Sequence, residues 1–333
     1  MSNSINIYGA GGAGINISKN VEYDRSNPNN KGFATINNYY VDTSDSNMDK
    51  TLVNADNTYL VDISDDPNAA KGGSGKKRDS NFRAISERIN DILLRFKPSA
   101  TLNIIVHSAS GGSGSVIGPL LVRELIKRKL PFLVCMVGSH GSKIEIQNTI
   151  KTLESYENIA DINKVPVSAL YLENGVGIDR KTVDEKIRVS LLLTAMIFSG
   201  DIRELDDSDL RNFLDFTKVT SYQPRLSYLK IEEGNIKLEK EETVISAVSV
   251  SDDEGTTDLS EFIEYQATGF LVKEYYTAFE IKKPIHFLNI AGSFNGIANA
   301  LKLRLKEYET ARSAAIDKRL IQDVDDSNDG LVF

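Results

Sequence analysis

An α/β fold built around a parallel sheet is the architecture that this sequence predicts, and three observations predict it. Apolar runs typical of strands alternate with helix-periodic segments over about the first 175 residues. The strand-like runs, such as "TLNIIV" and "PFLVCMV", are continuous, which indicates strands covered on both faces. Glycine-rich loops follow two of these runs directly. Together they predict a doubly wound parallel sheet.

The first-half elements follow one another in a regular order. "SINIYGA" predicts a strand that leads through a glycine loop into a helix, and "GFATINNYYVD" and "NTYLVDIS" predict the next two strands. Apolar residues at helical spacing from Phe82 to Phe96 predict a helix. The remaining predicted elements are the strand "TLNIIVHS", a helix to Lys129, the strand "PFLVCMVGS", a helix within "SKIEIQNTIKTLESYENI" and the strand "VSALYLENG".

The second half of the chain predicts a smaller α+β domain. The apolar segment from Ile187 to Phe198 predicts a long, buried central helix, with Thr182 and Glu185 as a capping box at its start. "TVISAVSV", "GFLVKEYYTAFEI" and "PIHFLNIAG" predict strands of a separate sheet. A charged helix over about residues 295–322 and an acidic tail follow. We expect a first domain over 1–181, the central helix over 182–204, the second domain over 205–293, and the terminal helix and tail over 294–333.

Composition excludes several classes of protein. The 333 residues carry a formal net charge of −8, which argues against binding nucleic acid or anionic membranes through the general surface. The single cysteine, Cys135, lies in an apolar run, and no Cys/His spacing indicates a zinc site. The sequence shows neither a signal peptide nor an apolar run of ~18 residues. We therefore expect a cytoplasmic protein without protein-bound structural metal.

The first glycine loop, "GAGGAG" at residues 9–14, matches G-x-G-x-x-G between a strand and a helix. Backbone N–H groups and the positive end of a helix dipole make such a loop an anion site. With Asp42 as a ribose ligand, the loop would also fit an NAD-dependent oxidoreductase of the Rossmann type. Glycine-rich turns of this form also occur for packing reasons alone.

A second glycine loop lies in "HSASGGSGSVIGP", residues 107–119, again between a strand and a helix. No lysine follows its glycines, so it is not a Walker P-loop. The segment "KGGSGKKR" at 71–78 adds glycines and positive charge, although such a segment is otherwise typical of a solvated surface loop. Loops along the carboxyl edge of one parallel sheet favour a nucleoside triphosphate over a dinucleotide.

Both loops resemble those of the tubulin/FtsZ superfamily. "GAGGAGIN" is similar to the first nucleotide loop of the bacterial members, G-x-G-G-x-G-x-N. "SGGSGSVIGP" resembles the signature G-G-G-T-G-[ST]-G and its following proline, here Pro119, and departs from it at Ser110, Ser113 and Val116. Chain length, the shortened signature and the acidic tail resemble the phage-encoded tubulins most.

The resemblance implies a site for GTP or GDP with Mg²⁺. Asn16, Asn174 and Asp184 fall where the family reads guanine, although Asp184 also fits a first-turn acid favoured by the helix dipole. Glu145 and Asn148 fall where the family holds the ribose. The phosphate-binding residues implied are Gly11, Gly12, Ala13, Gly72, Gly73, Ser110, Gly111, Gly112, Ser113, Gly114 and Ser115.

Hydrolysis of GTP needs an oriented, polarised water, and the resemblance implies which residues supply it. The family pattern N-x-D-x-x-D after the central helix acts on the nucleotide of the neighbouring subunit. Here "ELDDSD", residues 204–209, places Asp206 and Asp209 at the two Asp positions and Glu204 at the Asn position. The alternative for these carboxylates is ordinary helix N-capping. Because Glu204 departs from the family pattern, a nucleotide-dependent scaffold that assembles with little hydrolysis is a second alternative.

The resemblance implies a head-to-tail homopolymer that forms filaments in the cytoplasm of a bacterial host and positions phage DNA or the replication compartment. The acidic tail "DVDDSNDG" and the apolar "LVF" after it would contact the neighbouring subunit. The alternative for the tail is a solvated segment without a partner. We expect no direct binding of nucleic acid and no membrane contact.

Overall fold

The computed structural model describes residues 3–19, 21–24, 27, 30, 32–46, 48, 56–63, 78, 81–175, 177–199, 202–236, 238–252, 259 and 263–316. These residues form a mixed, mostly parallel ten-stranded sheet with helices packed against it, which confirms the predicted α/β class. None of the described helices combines the length and hydropathy that crossing a bilayer requires.

The strand order across the sheet is β3-β2-β1-β4-β5-β6-β7-β10-β8-β9. Strands β1 to β6 form parallel pairs, as their continuous apolar runs predict, whereas β10 is antiparallel to both β7 and β8. The strands are β1 (Ser4–Ala10), β2 (Thr35–Asp42), β3 (Thr58–Leu60), β4 (Leu102–Ser108), β5 (Phe132–Ser139), β6 (Val167–Asn174), β7 (Leu226–Glu233), β8 (Thr243–Ser251), β9 (Tyr265–Phe270) and β10 (Ile285–Ala291).

The strands of the second half extend the first sheet, so the prediction of a separate sheet is wrong. Strand β7, which the sequence analysis missed, pairs in parallel with β6 from Val167↔Leu226 to Ala169↔Tyr228. Its other edge pairs with β10. One strand therefore joins the two halves through backbone hydrogen bonds.

Two apolar cores cover the two faces of the sheet. On β4, Ile104 and Val106 belong to one core and Ile105 to the other, and all three are fully buried. Because successive side chains of a strand point to opposite faces, this explains the unbroken apolar run. The helices are α1 (Gly11–Ser18), α2 (Phe82–Arg95), α3 (Gly114–Lys127), α4 (Lys143–Asn163), α5 (Arg180–Ile197), α6 (Asp207–Leu214), α7 (Lys273–Ala278) and α8 (Ser293–Ile316).

The central helix α5 begins earlier than its sequence suggests. Asp179 is its N-cap, and its side chain accepts a hydrogen bond from the Lys181 N–H. The predicted capping box of Thr182 and Glu185 is therefore wrong, because both residues already lie inside the helix. Burial is concentrated in the second half of α5, whereas Val189 remains 45% exposed.

Helix α7 replaces most of a predicted strand. The run "GFLVKEYYTAFEI" contributes only its first two residues to β9, and Lys273–Ala278 are helical. Tyr275 and Phe279 are four residues apart, which is helical spacing, and both pack into an aromatic cluster. The acidic tail and "LVF", within residues 323–333, lie outside the described residues.

This aromatic cluster joins the segment between α1 and β2 to the second half of the chain. Phe33 is 2% exposed, and its ring centroid lies 4.4 Å from that of Tyr23, 4.3 Å from Tyr275 and 5.4 Å from Phe279. The Tyr23 hydroxyl donates to the Leu192 carbonyl of α5 at 2.8 Å. The cluster thereby packs α5 and α7 against the first half of the sheet.

We predict that Phe33→Ala lowers the free energy of unfolding by about 3–5 kcal/mol, because it removes a buried ring and leaves a cavity. Urea denaturation checks this. Leu303→Ala, at an α8 side chain that is 64% exposed, is the control and should change stability by less than about 0.5 kcal/mol. Equal, small losses in both variants would contradict a stabilising role for the cluster.

Candidate functional site

A pocket of about 360 Å³ lies at the carboxyl ends of the parallel strands. Both glycine loops line it, as the sequence predicts for the edge where ligands of parallel sheets bind. The predicted residues that line it are Gly11, Gly12, Ala13, Asn16, Ser110, Gly111, Gly112, Ser113, Gly114, Glu145, Asn174 and Asp184. Ser115 and Asn148 lie outside its lining, and Gly72 and Gly73 lie outside the described residues.

The two glycine loops lie against each other, backbone to backbone. Gly11 has a φ of 69°, a left-handed value that favours glycine, and an added Cβ there would lie 2.8 Å from the Gly114 nitrogen. A Cβ on Gly114 would lie 2.5 Å from the Ala10 carbonyl oxygen. Only residues without a Cβ permit this approach, which brings the N-termini of α1 and α3 to one pocket.

The second loop presents backbone donors at the start of α3. The N–H groups of Gly111, Gly112 and Ser113 donate no hydrogen bond within the described part of the chain. The Ser115 hydroxyl donates to the Gly111 carbonyl at 2.6 Å, which closes the loop on itself. Unsatisfied N–H groups at a helix N-terminus form an anion site, so this loop fits a phosphate group.

Hydroxyl and carboxylate oxygens also line the pocket. The Ser113 hydroxyl lies 2.7 Å from that of Thr43, and Asp42, at the end of β2, is 3% exposed. One Asp42 carboxylate oxygen accepts the Thr43 N–H at 2.7 Å. The oxidoreductase alternative makes Asp42 a ribose ligand, but it does not explain why two anion loops share the pocket.

Asn16, Asn174 and Asp184 approach the pocket from three different elements, α1, β6 and α5. The Asn174 side-chain oxygen is buried and has no hydrogen-bond partner among the described residues. Such an atom is costly unless a ligand supplies a donor. Burial raises the pKa of Asp184, although Arg188 and Arg180 oppose part of that effect. Together, Asn16, Asn174 and Asp184 offer hydrogen-bond acceptors for a polar heterocyclic ring.

Arg180 lines the pocket and was missed by the sequence analysis. It lies four residues before Asp184, so both side chains share one face of α5. This four-residue spacing from Asp184 is the sequence feature that could have identified Arg180. A guanidinium group here places a planar positive charge beside the carboxylate.

Arg188 connects α5 to the second half of α1, the helix that follows the first glycine loop. Its guanidinium donates to the carbonyls of Asn16 at 2.9 Å and Ile17 at 3.1 Å, near the end of α1. The central helix therefore holds the position of α1 relative to the pocket.

The two predicted ribose ligands lie in different places. Glu145 lines the pocket, and its carboxylate accepts from the Ser142 hydroxyl at 3.1 Å. Asn148 does not line it: its amide is 4% exposed and donates to the Ser110 carbonyl at 3.1 Å. One helical turn further along α4, Asn148 lies behind the second loop, so the structure does not support a direct ribose contact.

Asp206 and Asp209 form a capping box at the start of α6, away from the pocket. One Asp206 oxygen accepts from the N–H groups of Ser208 at 2.7 Å and Asp209 at 2.9 Å. Asp209 accepts in return from the Asp206 N–H at 3.2 Å. The N-capping alternative is thus confirmed as a structural role, and a catalytic role stays a prediction.

The described residues contain no cluster of three or more His, Cys, Asp or Glu side chains suited to a metal ion.

Comparison with known proteins identifies the type of domain that carries both glycine loops. The "Tubulin/FtsZ family, GTPase domain" pattern matches residues 4–166, which carry both glycine loops. A phage tubulin-like protein of Pseudomonas phage phiKZ is 28% identical over 301 residues, which is 88% of this chain and 90% of that protein.

Solved structures agree over nearly the whole chain. The TubZ protofilament of bacteriophage PhiKZ matches with a TM-score of 0.80 and 27% identity, over 98% of this chain and 97% of that one. The phage tubulin PhuZ, solved with GDP, shares the fold, with a TM-score of 0.80 and 23% identity over 99% of each chain. Residues 4–166 therefore carry a Tubulin/FtsZ GTPase domain, and the proteins that this chain resembles are phage tubulins.

Proposed function

We propose that this chain binds GTP in the pocket between its two glycine loops, polymerises head to tail, and hydrolyses GTP where subunits meet. The observation that carries the proposal is the convergence of α1 and α3 on one pocket with unsatisfied N–H donors. The family match supports a GTPase, and the relatives solved as a protofilament and with GDP support assembly and guanine binding.

In this proposal the loops bind the phosphates through backbone groups. The N–H groups of Gly111, Gly112 and Ser113 donate to phosphate oxygens, and the dipoles of α1 and α3 favour the negative charge. Asp42 and Ser113 supply hard oxygen ligands of the kind that Mg²⁺ prefers, so the pocket fits that ion. Bound there, Mg²⁺ would neutralise charge on the phosphates.

The base is read at the other end of the pocket. An ionised Asp184 accepts the N1–H and 2-amino protons of guanine, which adenine cannot offer in that arrangement. Asn16 and Asn174 add polar contacts, and the buried Asn174 oxygen gains the donor that it lacks within the described residues. Glu145 remains the candidate for a ribose hydroxyl.

Hydrolysis is proposed to need a second subunit. Asp206 is exposed on the turn before α6, outside the pocket, as a residue that acts on a neighbouring nucleotide must be. Its Oδ1 caps the helix, whereas its Oδ2 makes no hydrogen bond within the described part of the chain. That second oxygen can orient and polarise the attacking water, with Asp209 beside it.

We further propose the biological setting. Residues 1–181 act as the nucleotide-binding domain, 182–204 as the connecting helix, 205–293 as the assembly domain, and the segment 294–333 contacts the neighbouring subunit. The filaments form in the cytoplasm of a bacterial host and position phage DNA or the replication compartment, without direct contact with nucleic acid or membrane. The relatedness to phage tubulins supports this setting.

A scaffold that assembles but hydrolyses little is the second candidate. The capping box favours it, because Asp206 and Asp209 already have a structural role, and Glu204 stands where the family has Asn. Phosphate release measured during polymerisation distinguishes the two: it accompanies assembly in the first case and is absent in the second.

We predict that Gly112→Val abolishes GTP binding, because a branched side chain enters the pocket where the backbone must approach phosphate. Isothermal titration with GTP checks this on protein shown to be folded by circular dichroism. Gly296→Val is the matched control, since an added Cβ at that α8 position meets nothing within 4 Å. A folded Gly112→Val protein with unchanged GTP affinity would refute the assignment of the phosphate site.

We predict that Asp206→Asn leaves GTP binding and assembly intact but slows phosphate release at least about 100-fold, as expected for loss of a general base. Asparagine is a good N-cap, so the helix start is retained while the carboxylate is lost. Asp207→Asn, in the same exposed turn, is the control. If filaments of Asp206→Asn release phosphate at the wild-type rate, Asp206 caps the helix and has no role in hydrolysis.

We predict that GTP affinity falls on acidification. The fall should begin at a higher pH than it would if the pKa of Asp184 had the ordinary value for an aspartate. Burial raises the pKa of Asp184, so its ionised, accepting form is lost as the pH falls through that raised value. Asp184→Asn should lower GTP affinity about 10- to 100-fold and flatten the pH dependence. Titrations with GTP, ITP and ATP over a pH series check this; an identical pH profile in the variant would exclude Asp184 as the titrating group.

A further inference from the structure

Three polar side chains of α4 face the strand-to-loop turn that carries the second glycine loop. Asn148 is 4% exposed, and Thr152 and Tyr156 are fully buried. Their spacing of four residues places them on one face of the helix. Buried polar groups are costly unless they are hydrogen-bonded, so their partners define what this row of residues does.

Each side chain of the row contacts a different residue of the turn. The Asn148 amide donates to the Ser110 carbonyl at 3.1 Å. The Thr152 hydroxyl lies 2.9 Å from the Ala109 carbonyl and 2.7 Å from the Asn148 carbonyl of its own helix, so its single hydrogen is shared between these two acceptors. The Tyr156 hydroxyl lies 2.7 Å from His107 Nε2. The turn is therefore held by α4 at three points, from the end of β4 into the loop.

The proton positions in the His107 contact follow from its neighbours. His107 Nδ1 lies 3.1 Å from the Ser108 carbonyl, which can only accept, so Nδ1 carries the hydrogen. Burial lowers the pKa of His107 to about 4, so the ring is neutral at physiological pH and Nε2 accepts from the Tyr156 hydroxyl. Helix α3 closes over this pair, since a Cβ on Gly118 would lie 2.6 Å from the His107 ring.

The Asn148 contact sets the direction of a phosphate donor. A trans peptide is planar, so the Ser110 C=O and the Gly111 N–H point in opposite directions. The amide draws this C=O toward α4, which turns the Gly111 N–H away from α4. Ser110 and Gly111 both line the pocket, and the Gly111 N–H donates to no described residue. Glycine permits many backbone conformations, so an outside contact is needed to select this one.

We infer that Asn148 and Thr152, with Tyr156 holding the His107 side chain at the end of β4, orient the peptide groups that lead into the second glycine loop and thereby raise its affinity for the phosphate chain. Asn148 is a positioning residue that acts through the Ser110 carbonyl, in place of the ribose ligand that the sequence predicts. The inference rests on the proposed function of the pocket, because it concerns the phosphates of the nucleotide bound there.

The test uses nearly isosteric substitutions in the full-length chain. Asn148→Leu and Thr152→Val remove one donor each and retain the volume, and Thr152→Ser is the matched control that keeps the hydroxyl. Each protein displaces a fluorescent GTP analogue with GTP, GDP and guanosine, and its melting temperature is measured without nucleotide. If Asn148→Leu does not fold, Thr152→Val still tests the inference, because it removes a different donor of the same row.

We expect Asn148→Leu and Thr152→Val to lose about 10-fold or more of their affinity for GTP and GDP, because a donor to a charged group is misplaced. Guanosine affinity should stay at the wild-type value, and Thr152→Ser should resemble wild type throughout. Unchanged GTP affinity, or equal losses for guanosine and GTP, would overturn the inference; the second result would indicate a ribose contact or a general loss of structure. A wild-type protein that binds no guanine nucleotide would instead overturn the proposed function, and this inference with it.

Discussion

The backbone contact between the two glycine loops is the constraint on which the rest of the site depends. Gly11 and Gly114 bring the starts of α1 and α3 so close that a side chain on either would overlap the other loop. Gly14 lets α1 cross β4 equally closely, since a Cβ there would lie 2.1 Å from the Val106 carbonyl oxygen. Two helix N-termini on one small pocket concentrate partial positive charge there, which favours an anionic ligand.

The central helix connects this site to the second half of the chain. Near its start, Asp184 lines the pocket and Arg188 holds the end of α1. In the last part of α5, the Leu192 carbonyl accepts from the Tyr23 hydroxyl, and just beyond the helix the Ser199 hydroxyl accepts from the Ala34 N–H at 2.9 Å. These contacts connect α5 to the pocket at one end and, through Tyr23, to the aromatic cluster further along the helix.

The glycine loops were predictable because their chemistry is carried by the backbone and leaves a mark in residue type. Residue type does not indicate where a side chain points. Asn148 and Glu145 lie on one helix, yet only Glu145 lines the pocket. Helix α7 was predicted as a strand because aromatic residues favour strands locally, whereas packing of Tyr275 and Phe279 decides the outcome. Strand β7 was missed because partly exposed polar residues interrupt its apolar pattern.

Helix α4 carries the polar row on one face and contacts the terminal helix α8 on another. Lys143 pairs with Glu309 at 2.9 Å, and Lys302 lies 3.8 Å from Glu154. Such exposed ion pairs contribute little stability. At the other end of α8, buried Phe294 packs against Tyr171 and Tyr228 of the sheet, with ring centroids 6.0 Å and 5.6 Å apart. Because α4 contacts α8 on one face and the second glycine loop on another, this loop and the terminal helix are packed against the same support.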